Sequence, residues 1–437
     1  MLILLGLLQL IACIGLLVWE FNKRSAAVFF WGMLTIVFSF PHFIVSLAGN
    51  YSCKESSIAT ASLFVILFSG FYWLTRSVTL KPKNIADCDS LSLGVNTAEG
   101  IKKLDFVVTF FVLAFVVWLL AFSKSSLGGL GNTSWGQFYR ATSSLGFSPL
   151  FLAPYLFACS GGAVINSVRS KRKLQSFLLI ACCLIYLFVT KNRVVMLAVA
   201  CPFCLLLIDR FKKIGLKQII VAICAVAFVV YLVYAVLIFR HAGTIDTFIS
   251  SFSFSDFNKK VLSAILTGEG ELGLRNIFYY FIDFNNQFTG FGVGATYLRV
   301  LLFWLPGSLS LGIKPDDFAI TMASAYMGNP SNTAYSVHPT FFGDAYEIFG
   351  FMGFLVGILW GAIFNVLDTY VGKKSDHLRP YLISTLAFSF VIIGRGSVYN
   401  GAVIAVISIS LLIFSNCLLD RFFQNNKVSK KLIGGSK

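Results

Sequence analysis

The chain has 437 residues, 57% of them hydrophobic and only 12% charged, with 46 Phe and a mean hydropathy of +0.80. A soluble domain carries about 25% charged residues, so this composition excludes a protein wetted on all sides, a disordered chain and a disulfide scaffold. The charge is lopsided, 35 Lys and Arg against 19 Asp and Glu for a net of +16, which calls for an acidic partner or for an explanation from location.

Location comes first. A bilayer core about 30 Å thick needs roughly 20 apolar residues in a helix. Eleven such runs follow in chain order: 2–20, 26–48, 57–75, 104–122, 147–166, 174–190, 194–208, 218–239, 349–370, 380–396 and 401–419. Lipid offers the backbone no hydrogen bonds, so each run must be helical, and the alternation of a barrel strand is missing. The first run is no cleavable signal, because Met1 to Gln9 carries no basic residue and Lys23-Arg24 follows the apolar stretch. The fold class is therefore all-α, a polytopic integral membrane protein with about eleven transmembrane helices.

Basic residues set the orientation. With Lys23-Arg24 in the cytoplasm and alternating spans, the inner segments collect 23 of the 35 Lys and Arg, among them Arg76, Arg169 and Arg172, and reach a net of +14. The outer segments are left with +2, the N-terminus lies outside, and the tail 420–437 lies inside. Anionic lipid accounts for the inner excess, so no nucleic acid is implied. Of ten Cys only Cys53 falls in an outer segment, so no outer disulfide is expected, and the Cys201-Pro-Phe-Cys204 pair reads as filler of an apolar helix.

Spans 1–8 occupy 1–239 and spans 9–11 occupy 349–419; between them 240–348 forms an outer segment of 109 residues. Loops of such length are usually functional. Its aromatics, Phe278 to Phe281, Tyr297 and Phe303-Trp304, should fold it against the membrane, and 296–311 is apolar enough to be an interfacial or re-entrant helix broken at Pro306. The Gly-rich stretches 128–131 and 290–294 lack a preceding strand and a following GK[ST], and read as flexible loops.

Several arginines stand where the inside rule makes them scarce: Arg193 at the junction of spans six and seven, Arg395 between Gly394 and Gly396, Arg240 at the end of span eight, and Arg275 and Arg299 in the long loop. Each alone is explained by snorkelling or by an ion pair. Together on one face they suggest an anion site, since Arg binds phosphate bidentately and stays charged. The run Ser336-Val-His338-Pro-Thr-Phe-Phe-Gly343-Asp344-Ala-Tyr-Glu347 is the other polar cluster. His338 with Asp344 or Glu347 could act as a general base and its orienting carboxylate; helix-terminal charges are the plainer alternative for both acids. His42, inside span two, and His377, in an inner loop, have no such company in the sequence. No His, Cys or carboxylate cluster has metal-ligand spacing, so neither metal nor cofactor is expected.

The chain resembles the Wzy-type O-antigen polymerases, or oligosaccharide repeat-unit polymerases. The resemblance rests on the spans, the large late outer loop, Thr190-Lys-Asn-Arg193, Trp304-Leu-Pro306 with Lys314-Pro315, and above all His338-Pro-Thr-Phe-Phe-Gly343-Asp344-Ala-Tyr-Glu347-Ile-Phe-Gly350. Relatives often carry Glu after Gly343 and Arg after Pro306, where this chain has Asp344 and Gly307. The resemblance implies a GT-C-like membrane glycosyltransferase with a large periplasmic loop, in the bacterial inner membrane. Its donor and acceptor would both be undecaprenyl-pyrophosphate-linked oligosaccharides, and a chain-length regulator and a flippase would be its partners. On that basis Arg193, Arg240, Arg275, Arg299 and Arg395 are expected at the pyrophosphate, His338 and Asp344 at the acceptor hydroxyl, and Tyr279, Tyr280, Tyr297 and Trp304 on sugar faces. An O-antigen ligase shares the plan, and a lipid-linked oligosaccharide flippase is the alternative outside enzymes. A flippase should show ionisable groups at mid-membrane and discontinuous spans.

Overall fold

The computed structural model describes residues 1–49, 53–78, 98–126, 149–190, 192–210, 253–263, 273–284, 295–306, 309–316, 318–327, 336–374 and 377–433. Among these the regular structure is helical, with no strand, and eight helical stretches are long and apolar enough to cross a membrane. The chain is an all-helical, polytopic membrane protein. The expected span 218–239 lies outside the described residues, 380–396 corresponds to a helix shorter than those eight, and 194–208 corresponds to a 3-10 turn and a 14-residue helix, Leu197–Arg210, that is not among them either.

Contacts divide the chain into two compact units, each discontinuous in sequence. The first comprises Met1–Ser92, Phe252–Lys373 and Ala387–Val403. Its helices are α1 (Leu2–Asn22), α2 (Ala27–Leu34), a π-helical turn (Thr35–Ser39), α3 (Phe40–Ala48) and α4 (Glu55–Val78). The second comprises Leu93–Ser251, Lys374–Leu386 and Ile404–Lys437. It holds α5 (Ala98–Ser126), α6 (Ala153–Arg169), α7 (Lys173–Thr190) and α8 (Leu197–Arg210), the last entered through a 3-10 turn, Arg193–Met196.

The long segment 240–348 is described in part. Its described helices, α9 (Phe254–Ser263), α10 (Leu274–Asp283), α11 (Ala295–Leu301), α12 (Phe318–Met327) and α13 (Thr340–Phe349), belong to the first unit. A 3-10 turn, Gly350–Leu355, then leads into α14 (Val356–Gly372). The last helices, α15 (Arg379–Gly394) and α16 (Val398–Ile433), contribute residues to both units. The expected cytoplasmic tail from 420 is a continuation of α16 as far as Ile433.

Each unit holds a buried network in which an arginine meets carboxylate, the pairing that a low-dielectric interior favours. In the first, the Arg76 side chain is fully enclosed. Its Nε and Nη2 grip Glu20 at 2.9 and 2.6 Å, and Nη2 also reaches Asp368 at 2.6 Å. Tyr72 donates to Glu20 at 2.6 Å, and Ser25 donates to Asp368 at 3.0 Å. This network ties α1, α4 and α14 together at one end. In the second unit, the buried Asp105 of α5 accepts from Asn166 at 3.0 Å, from Arg172 and from the Tyr381 hydroxyl. Arg76 and Arg172, counted above as inner-loop cations, are thus held by carboxylates.

One run folds differently from its hydropathy. Residues 340–372 form a continuous apolar stretch of 33 residues, which as a straight helix would be about 50 Å long, more than the bilayer core. It doubles back instead. Along α14, Gly357 lies against the Phe68 carbonyl and Gly361 against the Tyr72 carbonyl, so α14 runs parallel to α4. Along α13 the order reverses: Phe341 and Phe342 pack on Phe68, and Tyr346 packs on Phe64. The reversal occurs at Gly350, whose φ of +57° favours a residue without Cβ. It closes so tightly that a Cβ on Gly353 would stand 2.1 Å from the Ala345 carbonyl oxygen. Residues 340–349 are therefore one arm of a re-entrant hairpin, and the start of α13 lies about half-way along α4.

Candidate functional site

Two interruptions of helix meet in the first unit. One is the entry to α13, Val337 to Thr340; the other is the break between α15 and α16, Arg395 to Ser397. Gly396, at φ +106°, is pressed against the Thr340 backbone so closely that a Cβ would lie 2.6 Å from the Thr340 carbonyl carbon. Thr340 itself sits at φ +63°, a conformation that costs a β-branched residue on the order of 1–3 kcal/mol. Strain of this kind persists only where packing on both sides enforces it, and it concentrates at functional sites. Gly394 packs on Met33 and on the Phe30 carbonyl, and Arg395 follows the last residue of α15, at the end of span ten where the sequence put it.

Around this junction four helices contribute polar groups. Thr296 of α11 donates to Asp344 Oδ1 of α13 at 2.9 Å. Asp344 is 1% exposed, and its Oδ2 has no hydrogen-bond partner among the described residues. Glu347, three residues on, is also buried and shares the Asp344 face of α13. Tyr297 accepts from the Trp360 indole of α14 at 2.8 Å; burial, and then the Asp344 charge, push its phenol up. Arg299 donates to the Pro315 carbonyl at 2.6 Å and stacks 4.6 Å from the ring centroid of Tyr399, at the start of α16. Lys314 closes the same turn on the Leu305 carbonyl at 2.7 Å, and burial and then Arg299 lower its pKa. The helix expected over 296–311 ends at Leu301, before Pro306, and the described residues 302–306 form the turn that Lys314 closes.

The sequence-derived residues thus separate into groups. Asp344, Tyr297 and Arg299 lie among these four helices, and the backbone break beside Arg395 abuts the start of α13. His338 stands half-buried two residues before Thr340, next to Val337, whose amide bonds the Ala319 carbonyl at 2.9 Å. Arg275 and Tyr279 are elsewhere in the first unit, both buried on α10. The Tyr279 hydroxyl bonds His42 Nδ1, and its ring is enclosed beside Phe38, so it offers no open face to a sugar. Tyr280 packs on Phe284 and Tyr326, at 4.6 and 5.2 Å between ring centroids. Trp304 is 67% exposed on the turn. Arg193 opens the 3-10 turn of the second unit, and Arg240 lies outside the described residues, as do both Gly-rich stretches.

The setting of His42 was not legible in the sequence. Its ring is fully buried, held by Tyr279 through Nδ1 and by Ser62 through Nε2 at 2.7 Å. Ser62 already donates to the Ile58 carbonyl at 3.2 Å, so the network assigns the ring proton to Nε2 and leaves Nδ1 to accept from Tyr279. Ser57 donates to Asp283, and these bonds seat α10 on α3 and α4. No local signal marks His42, because its partner lies 237 residues away.

Comparison with family models, with curated proteins and with solved structures returned no match for this chain.

Proposed function

We propose that this chain is a membrane glycosyltransferase of the O-antigen repeat-unit polymerase type. It would act at the periplasmic face of a bacterial inner membrane, with its N-terminus outside and its C-terminus in the cytoplasm. The growing saccharide moves from one undecaprenyl pyrophosphate to the terminal sugar of a second lipid-linked unit. Asp344 carries the proposal: a buried carboxylate, fixed by Thr296 at one oxygen, six residues after His338 and on a helix that begins in strained backbone. A carboxylate fixed at one oxygen can accept a proton at the other. His338 and Asp344 would position and deprotonate the acceptor hydroxyl. Arg395 and Arg299 would offset the leaving pyrophosphate charge. Arg275 and Tyr279 drop from the substrate-contact set to the support of α10, while Trp304 and Tyr280 remain candidates for sugar contact.

The re-entrant hairpin and the carboxylates buried on it favour a second assignment, a lipid-linked oligosaccharide flippase, since discontinuous helices and buried ionisable groups are common in transporters. The lipopolysaccharide of a deletion strain separates the two. Loss of a polymerase leaves core bearing a single repeat unit, whereas loss of a flippase, or of an O-antigen ligase, leaves bare core.

A further inference from the structure

Apart from the hairpin site, the first unit carries a cavity of about 360 Å³ between α1 and α4. Ile11, Gly15 and Trp19 line one wall, and Ile66, Gly70 and Trp73 the other. Gly15 and Gly70 are exposed, and a Cβ on either would meet nothing within 4 Å. The missing side chains thus make a groove in the lipid-facing surface, about 12 Å long from Ile11 to Trp19 at helical rise. Both tryptophans lie at one end, the arrangement that marks the headgroup level of a bilayer.

That end is positive. The Lys23 ammonium stands 3.4 Å from the centroid of the Trp19 ring, and Arg24 follows it. Among the described residues, the Glu20 and Asp368 carboxylates near it are each bound by Arg76 at 2.6 Å. Burial, and then the Arg76 charge, hold Lys23 down at about 8 against the pull of Glu20 and Asp368.

We infer that the α1–α4 groove is a binding site for an anionic phospholipid, one acyl chain lying between Gly15 and Gly70 and the phosphate resting on Lys23. The apolar length fits a chain entering from the headgroup level, and the positive end selects an anionic over a zwitterionic head.

The test is native mass spectrometry of the full chain, purified in zwitterionic detergent and supplied with phosphatidylglycerol or with phosphatidylcholine of the same chains. Wild type should retain phosphatidylglycerol at least tenfold better. Lys23→Gln should bring the two lipids level, and Gly70→Leu, which fills open space, should lower retention of both by a similar factor. Gly15→Leu fills the same groove from the other wall should Gly70→Leu fail to fold. Equal retention of the two lipids by wild type overturns the inference. So does undiminished phosphatidylglycerol in Lys23→Gln and the groove-filled variant.

Discussion

Phe341 and Trp360 meet edge to face with their ring centroids 5.2 Å apart, although a straight helix would separate them by about 28 Å along its axis. The contact requires the chain to reverse between them, and it places the start of α13 in the interior of the first unit. Phe30 joins the pair, 4.8 Å from Phe341 and stacked at 5.8 Å on Trp360. The reversal brings His338 and Asp344 away from the surface loop in which sequence reading put them.

The tight closure makes Gly353 intolerant of any side chain. Gly353→Ala should destabilise the protein by about 1–3 kcal/mol or more, the range for overpacking a filled core, because the new Cβ meets a backbone oxygen that cannot rotate away. Thermal unfolding in detergent, compared with Gly15→Ala as a control in open space, checks this.

Gly396 and Thr340 should respond in opposite directions. Gly396→Ala adds a Cβ at positive φ against the Thr340 backbone, and more than 1 kcal/mol should be lost. Thr340→Gly removes about 1–2 kcal/mol of left-handed strain, so its melting temperature should equal or exceed that of wild type. If the strain serves chemistry, Thr340→Gly should be stable yet less active.

The Arg76 network should behave as a buried pair. Arg76→Met strands Glu20 and Asp368 without their counter-ion, a loss of about 3–5 kcal/mol. Arg76→Lys should recover only part of it, since an ammonium cannot reproduce the two-pronged grip on Glu20. Denaturation of the three proteins in one detergent gives the comparison.

Lys23 gives a pH signature. Its pKa in the folded protein, about 8, lies below that of an unfolded lysine, about 10.4. The unfolded chain therefore binds more protons between those values, and stability from this group should rise as pH climbs from about 8 to about 10.4. An isotope-edited lysine titration should show one residue near 8, absent in Lys23→Gln, and phosphatidylglycerol should move it upward.

The spans were legible because lipid leaves the backbone one economical structure, so hydropathy alone finds Leu2–Asn22, Ala27–Ala48 and Glu55–Val78 within a few residues. The fold-back at Gly350 was not legible. Thr340–Phe349 runs without a polar break into the helix that follows, and hydropathy carries no direction; only the 33-residue length exceeds one crossing. Charge counting gave Arg76 a sign but no partner, because Glu20 and Asp368 lie 56 and 292 residues away. Within the site, the i, i+3 spacing of Asp344 and Glu347 was readable once a helix was supposed. Thr296, Trp360 and Tyr399 were not readable as its neighbours, since tertiary packing alone brings them there.

The most direct test of the proposed glycosyl transfer uses the full chain in nanodiscs with a lipid-linked repeat unit, with products resolved by length. Wild type should yield a ladder of lengths, Thr296→Val a weaker one, and Asp344→Asn and His338→Ala single units only, a fall of about 10²–10⁴ in rate. A ladder of normal length from Asp344→Asn, or no elongation by the wild-type protein, would contradict the account.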